Sequence, residues 1–414
     1  VTLSKAESSR GNRINDDQGK EVQAQRLSTG ELVFLASDIP AFGSRHYQVI
    51  AGKSSLTIGC KIDGTTLENQ LLRVKIDPVT GNITQLVTLA NGRNFVDVKV
   101  NEGLNAFRWM PGDSDNARGD SAVVISTVES GPLVVELLVS SKGTGCRAVS
   151  RSVRLVQCQP WVDITNVVDK LPLEAKDGVH FGFGFDIQKA TTRVDIPWGV
   201  MQVEKDQWAA GNRNWLTMQR WVDISNEKDG VTWCSLDAPL IESGAMTANQ
   251  TGTWSGERKP WLRILEPSSI IYSWVMNNHW FTNFPLTQDG PVTFRYRILP
   301  HGAYDAATAN RFGLEQSQPL VSLAASANAI SKPLIALDGS TAITVSILKS
   351  TTAAKTAIIR LRSVSDKDEM VKLSWPAGSP ASVNLCETEE ISGPKINNEL
   401  SVPANGMATL KVVW

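Results

Sequence analysis

Histidine is scarce in this chain, and the little there is sits badly for chemistry. The 414 residues include four His, namely His46, His180, His279 and His301. None falls in H-x-D, H-x-H or H-E-x-x-H, so spacing sets no two of them to share a metal ion. The five cysteines, Cys60, Cys146, Cys158, Cys234 and Cys386, are odd in number, scattered and without a C-x-x-C. They indicate neither a disulfide framework nor a zinc knuckle, and read as buried free thiols that leave the redox compartment open. Long apolar runs are missing as well. The strongest, Pro132 to Val139, is broken by Glu136 and falls far short of the ~18–20 residues that span a bilayer. Charge of one sign is not in excess, with 41 basic against 42 acidic residues and a formal net charge of −1. That balance offers no electrostatic case for nucleic acid or an acidic membrane surface as partner. No G-x-S-x-G elbow, Walker loop or dinucleotide fingerprint occurs.

Helical periodicity is nearly absent, and only Ala303 to Leu314 looks briefly helical. What is present instead is two-residue alternation, the mark of half-buried antiparallel strands. Leu72, Val74 and Ile76 alternate with Arg73, Lys75 and Asp77, and the turn Asp77-Pro78-Val79-Thr80-Gly81-Asn82 then reverses the chain. The pattern returns at Ile343, Val345 and Ile347, at Ile359 and Leu361, and at Leu410, Val412 and Trp414. Such a chain is all-β, and at this length it exceeds the roughly 250–300 residues that one core serves. Three units are expected: a small β-sandwich, possibly truncated, over 1–55; a large unit over 56–302 carrying nearly all of the 13 Trp; and a C-terminal β-sandwich over 330–414, after a connector over 303–329. The chain begins at Val1 with no Met, basic segment or apolar segment, and is read as a piece of a longer one.

Three stretches could meet a ligand. Asn277-Asn278-His279-Trp280-Phe281-Thr282-Asn283-Phe284-Pro285 sets amides and an imidazole beside flat rings, the combination a sugar asks for. Asn-rich loops also close hairpins by bonding their own backbone, which is the competing reading. Asn105-Ala106-Phe107-Arg108-Trp109-Met110-Pro111 places Phe107 and Trp109 on one face of a strand, with core packing as the alternative. The band Trp198, Trp208, Trp215, Trp221 and Trp233 is expected in the core. A carboxylate pair for glycoside hydrolysis could hide among the 42 acidic residues, but spacing selects none.

Several of these pieces fall in a familiar order. Leu67-Glu68-Asn69, Arg73-Val74, Asp77 with Gly81-Asn82-Ile83, Phe107 to Pro111, Trp161 to Asn166, Asn277 to Pro285, and Phe294 to Arg297 with Leu299-Pro300-His301 resemble the large C-terminal β-domain of glycoside hydrolase family 38, the retaining α-mannosidases. Gln23-Ala24-Gln25 and Leu32 to Ala36 look like the small β-domain before it, so the likeness spans about residues 20–310. The resemblance implies a galactose-mutarotase-like supersandwich flanked by smaller β-sandwich domains. It also implies an N-terminal catalytic domain of the same polypeptide, absent here, that holds zinc and the nucleophile. No cofactor and no catalytic residue then belong to this chain, which should be inert alone. Its partners are carbohydrate and that missing domain, and the face left bare could pair two copies into a homo-dimer.

Under this reading the substrate-binding residues are Phe107, Trp109, Asn277, Asn278, His279, Trp280 and Asn283. A pocket-rim Tyr of the family corresponds to Phe107, which lacks the hydroxyl, and an Asp-Arg pair corresponds to Asp237-Ala238, which lacks the Arg. Both departures weaken α-mannose as the substrate. Two other functions stay open: a stand-alone carbohydrate-binding protein, and a lyase or epimerase of the same fold with His279 or His180 as base.

Overall fold

The computed structural model describes residues 1–55, 59–99, 103–112, 116–248, 261–278, 285–325, 332–387 and 389–414. Among these, the strands form six sheets. The two large ones, of ten and nine strands, face each other across a shared apolar core, making a supersandwich. Smaller sheets lie on either side of it in sequence: two of three strands within residues 2–50, and one of three and one of five within 336–413. The fold is thus all-β, a supersandwich flanked by smaller sandwiches.

Alternation builds the core directly. Leu72–Ile76 pairs with Ile83–Thr88 as the expected hairpin, and the Asp77 carboxylate accepts from the amides of Val79 and Thr80 to hold the turn. Leu72, Val74 and Ile76 are buried while Arg73 and Lys75 are exposed. The central strand Asp177–Gly184 is buried along its whole length. Val179, Phe181 and Phe183 point inward, and the other phase is His180 with Gly178, Gly182 and Gly184. Ring contacts cross the sandwich from Phe183 to Trp233 at 5.3 Å and to Tyr296 at 5.2 Å. Each such buried ring contributes roughly 1.5–3 kcal/mol of apolar burial.

Polar residues on the inward phase bond one another across the core. Asn105 and Asn166 exchange amide hydrogen bonds across the two sheets at 2.9 and 2.6 Å. Arg151, fully buried, donates to Asn82, Thr80, the Asn105 carbonyl and Asp120.

The flanking sheets are tied on by specific groups. Gln25 reaches the backbone of Leu133 and Val134, and Arg362 donates to the Gly199 carbonyl at 3.0 Å, with Asp195 3.7 Å away. The stretch expected as a connector opens with a helix, Ala306–Ser317, three residues later than the helical pattern suggested. Asp305 caps it, its side chain accepting from the Thr308 amide. The helix packs on the nine-stranded sheet through Ala309 and Phe312 against Trp221, Cys234 and Leu299.

Candidate functional site

Two of the stretches singled out by composition meet in space, brought together by a strand that composition did not single out. Leu104–Pro111 pairs with Asp177–Gly184, which pairs in turn with Ile270–Asn277. In that register Pro111 lies opposite Asp177, and Gly178 opposite Asn277, so three strand ends converge on one corner of the ten-stranded sheet.

Asp177 organises the corner. Its Oδ2 accepts from Lys170 Nζ and from Trp109 Nε1, both at 2.8 Å. Lys170 and Asp177 are almost wholly buried, with side chains 4% and 1% exposed. Lys170 ends the strand Val162–Lys170 on its buried phase, after Val162, Ile164, Asn166 and Val168. Trp109 is half-buried, its ring covered on one side by the Arg118 guanidinium at 5.4 Å. It rests on the turn at Gly145, where a Cβ would lie 2.4 Å from Nε1 and φ is +73°. Only glycine suits that position.

The other candidates divide. Phe107 turns into the inter-sheet core, fully buried against Phe181 at 6.0 Å, so the expected rim position is corrected: its ring offers no face to a ligand. Asn277 is half-buried at its strand end. Asn278 accepts from the Asp177 amide and donates to the carbonyls of Leu173, Ala175 and Leu286. It stitches loops together, most of its partners lying in the distant 173–177 segment. His279, Trp280 and Asn283 lie outside the described residues.

Of the Trp band, Trp221 and Trp233 are core, but Trp198 is 45% and Trp208 87% exposed. Trp198 occupies a tight turn between Thr191–Ile196 and Gly199–Gln202 with φ +64°. Trp208 sits in a loop braced from within by Arg213, which donates to the carbonyls of Trp208 and Gly211 and to Glu204. Local turn geometry overrides apolarity at both.

Two histidines lie in polar clusters elsewhere. His180 Nε2 meets Glu242 at 2.7 Å, stacked parallel to Trp274 at 5.9 Å. Glu242 also accepts from the amides of Thr247 and Ala248. Both members are fully buried among the described residues. His301 Nε2 meets Asp223 at 2.8 Å, and Nδ1 faces the Gly302 carbonyl at 2.9 Å. Asp237, whose chain neighbour is Ala238, receives a guanidinium in space: Arg295 holds both its oxygens, at 2.7 and 3.0 Å. Burial pushes the Asp237 carboxyl up, but the Arg295 hydrogen bonds and charge outweigh it and leave it below the usual carboxylate range. Among the described residues no three His, Cys, Asp or Glu side chains come together to hold a metal.

Two facing sheets and a Trp-bearing corner over a buried ion pair define a β-supersandwich protein. Residues 67–238 match the model of the glycosyl hydrolases family 38 C-terminal domain. The fold of this chain is similar to an alpha-mannosidase from Enterococcus faecalis V583, at 12% identity and a TM-score of 0.73 over 97% of this chain and 51% of that one. A glycosyl hydrolase family 38 protein from Enterococcus faecalis is alike at 12% identity and a TM-score of 0.72, over 98% and 53%. The chain therefore spans about half the length of these structures. No curated protein matches its sequence.

Proposed function

We propose that this chain is the non-catalytic β-part of a family 38 hydrolase of the α-mannosidase type, and that the Trp109 corner forms part of the rim of its sugar pocket. The observation that carries the rim role is the buried Lys170–Asp177 pair, which holds the Trp109 indole by its N–H and so fixes a half-buried ring at a convergence of strand ends. A ring fixed in advance loses little entropy when a sugar stacks on it. The retaining reaction needs two carboxyl groups about 5–5.5 Å apart; the proposal assigns them to the part of the enzyme outside this chain. The zinc that the family implies has no fitting set of ligands among the described residues.

The test compares this chain with the full native product on an aryl α-mannoside, with and without a chelator. The chain alone is expected to be inert and the full product active and chelator-sensitive; turnover by the chain alone would overturn the non-catalytic role. Trp109→Ala in the full product is expected to raise KM several-fold with a smaller effect on kcat. An unchanged KM would remove the rim role. One observation favours a stand-alone carbohydrate-binding protein instead, the Trp208 ring held almost fully exposed on its braced loop. On that reading the isolated chain binds glycans and Trp208→Ala abolishes the binding.

A further inference from the structure

On the nine-stranded sheet, far from Trp109, a cleft of about 280 Å³ opens beside the helix Ala306–Ser317. Trp161 lies in it, the helix lines it with Asp305, Thr308, Arg311 and Glu315, and Thr341 contributes from beyond the helix. Drug-sized ligands occupy pockets of about 300–1,000 Å³, so this one has room for a single monosaccharide unit and not for a branched glycan.

The Trp161 ring is fixed from behind. Two residues on, Asp163 is ion-paired with Arg297 at 2.5 Å, and Arg297 in turn bonds Gln316 on the helix that lines the cleft. Phe312 packs against the ring at 5.6 Å and 58°. The polar groups around it are not committed to one another. Asp305 spends Oδ1 on the Thr308 amide at the helix cap, which leaves its second oxygen for a ligand. Arg311 and Glu315 stand one helical turn apart, both exposed, and form no ion pair among the described residues.

An apolar ring edged by a guanidinium, carboxylates and hydroxyls offers donors and acceptors together, which is what a pyranose with one C–H face and several hydroxyls requires. A small anion would meet Asp305 and Glu315, and a cation would meet Arg311. We propose that this cleft is a second carbohydrate-binding site, taking one pyranose unit. Trp161 immediately precedes the strand Val162–Lys170, and Lys170 ends it at the Trp109 corner. At about 3.3 Å per residue the two sites lie roughly 30 Å apart, so the proposal does not rest on the rim reading.

The test is ¹⁹F NMR of the 5-fluorotryptophan-labelled chain, with the Trp161 signal assigned by Trp161→Phe. Methyl α-mannoside, methyl α-glucoside and methyl β-galactoside are titrated, with acyclic mannitol as control. At least one glycoside should shift the Trp161 signal saturably, with Kd on the order of 1 mM, and mannitol should not. The double variant Arg311→Ala/Glu315→Ala, altered only at exposed positions, should raise that Kd at least ~10-fold with an unchanged melting temperature. Trp109→Ala should leave it alone. No saturable shift with any glycoside, or a shift that survives the double variant, overturns the second site. A shift abolished by Trp109→Ala assigns the binding to the rim and also overturns it, whereas loss of the second site leaves the KM test of Trp109 untouched.

Discussion

Lys170 reaches Asp177 in a place where neither charge meets water. Removing one member of such a pair leaves the other buried and uncompensated, at a cost of about 3–5 kcal/mol. Lys170→Met is therefore expected to lower stability by that amount in urea unfolding, and Lys170→Met/Asp177→Leu to recover most of it. A loss below about 1 kcal/mol for the single variant would show the pair to be energetically idle. His301 makes a pH-dependent contribution. Burial pushes its pKa down, but the Asp223 hydrogen bond and charge and the Gly302 carbonyl outweigh this and hold it above the usual histidine range. A folded-state pKa that is raised gives stability that is complete below the unfolded value of about 6.5 and is lost as pH rises through the folded one. The melting-temperature gap between wild type and His301→Gln should thus be widest near pH 6 and close on the alkaline side. A gap that does not vary with pH would mean the imidazolium contributes nothing.

Among elements, the helix Ala306–Ser317 shows how closely packing constrains a short segment. A Cβ on Gly313 would lie 2.3 Å from Trp221 Cδ1, and overpacking of that kind costs roughly 1–3 kcal/mol. Gly313→Ala should lower the melting temperature and alter the near-UV signal of Trp221. An unperturbed near-UV spectrum would mean the helix shifts freely. The strands were largely legible because alternation is a local property: Leu72, Val74 and Ile76 announce their burial one residue at a time. Phase also marked what was missed. Lys170 and Asn166 stand in step with buried Val162, Ile164 and Val168, and Arg151 in step with Val149 and Val153. A charge on the inward phase of a strand signals a buried partner, and for Lys170 that partner was Asp177. Phe107 carried the opposite lesson, since an aromatic on a strand takes the core by default and did so here.

For the whole molecule, the question is how firmly the outer sandwiches are attached. Arg362 is buried between Gly199 and Asp195, and burial lowers its pKa. Asp195 keeps Arg220 at 3.4 Å when Arg362 is removed. Arg362→Met should therefore loosen the C-terminal sandwich without unfolding the supersandwich, seen in calorimetry as an earlier, separate transition. A single transition at the wild-type temperature would place the attachment elsewhere.

The amino-acid sequence by itself determined the all-β class, the hairpin over 72–88, and the absence of any spaced metal motif, because each depends on residues within a few positions of one another. Tertiary structure alone decided which of the Trp-rich and Asn-rich stretches share a corner, since that follows from the register of Leu104–Pro111 and Ile270–Asn277 on a common neighbour. It also decided that Asp237 finds its guanidinium in Arg295, 58 residues away, and that Asn278 spends its amide on backbone. Strand pairing joins residues far apart in the chain, and no local pattern encodes which two strands will lie side by side.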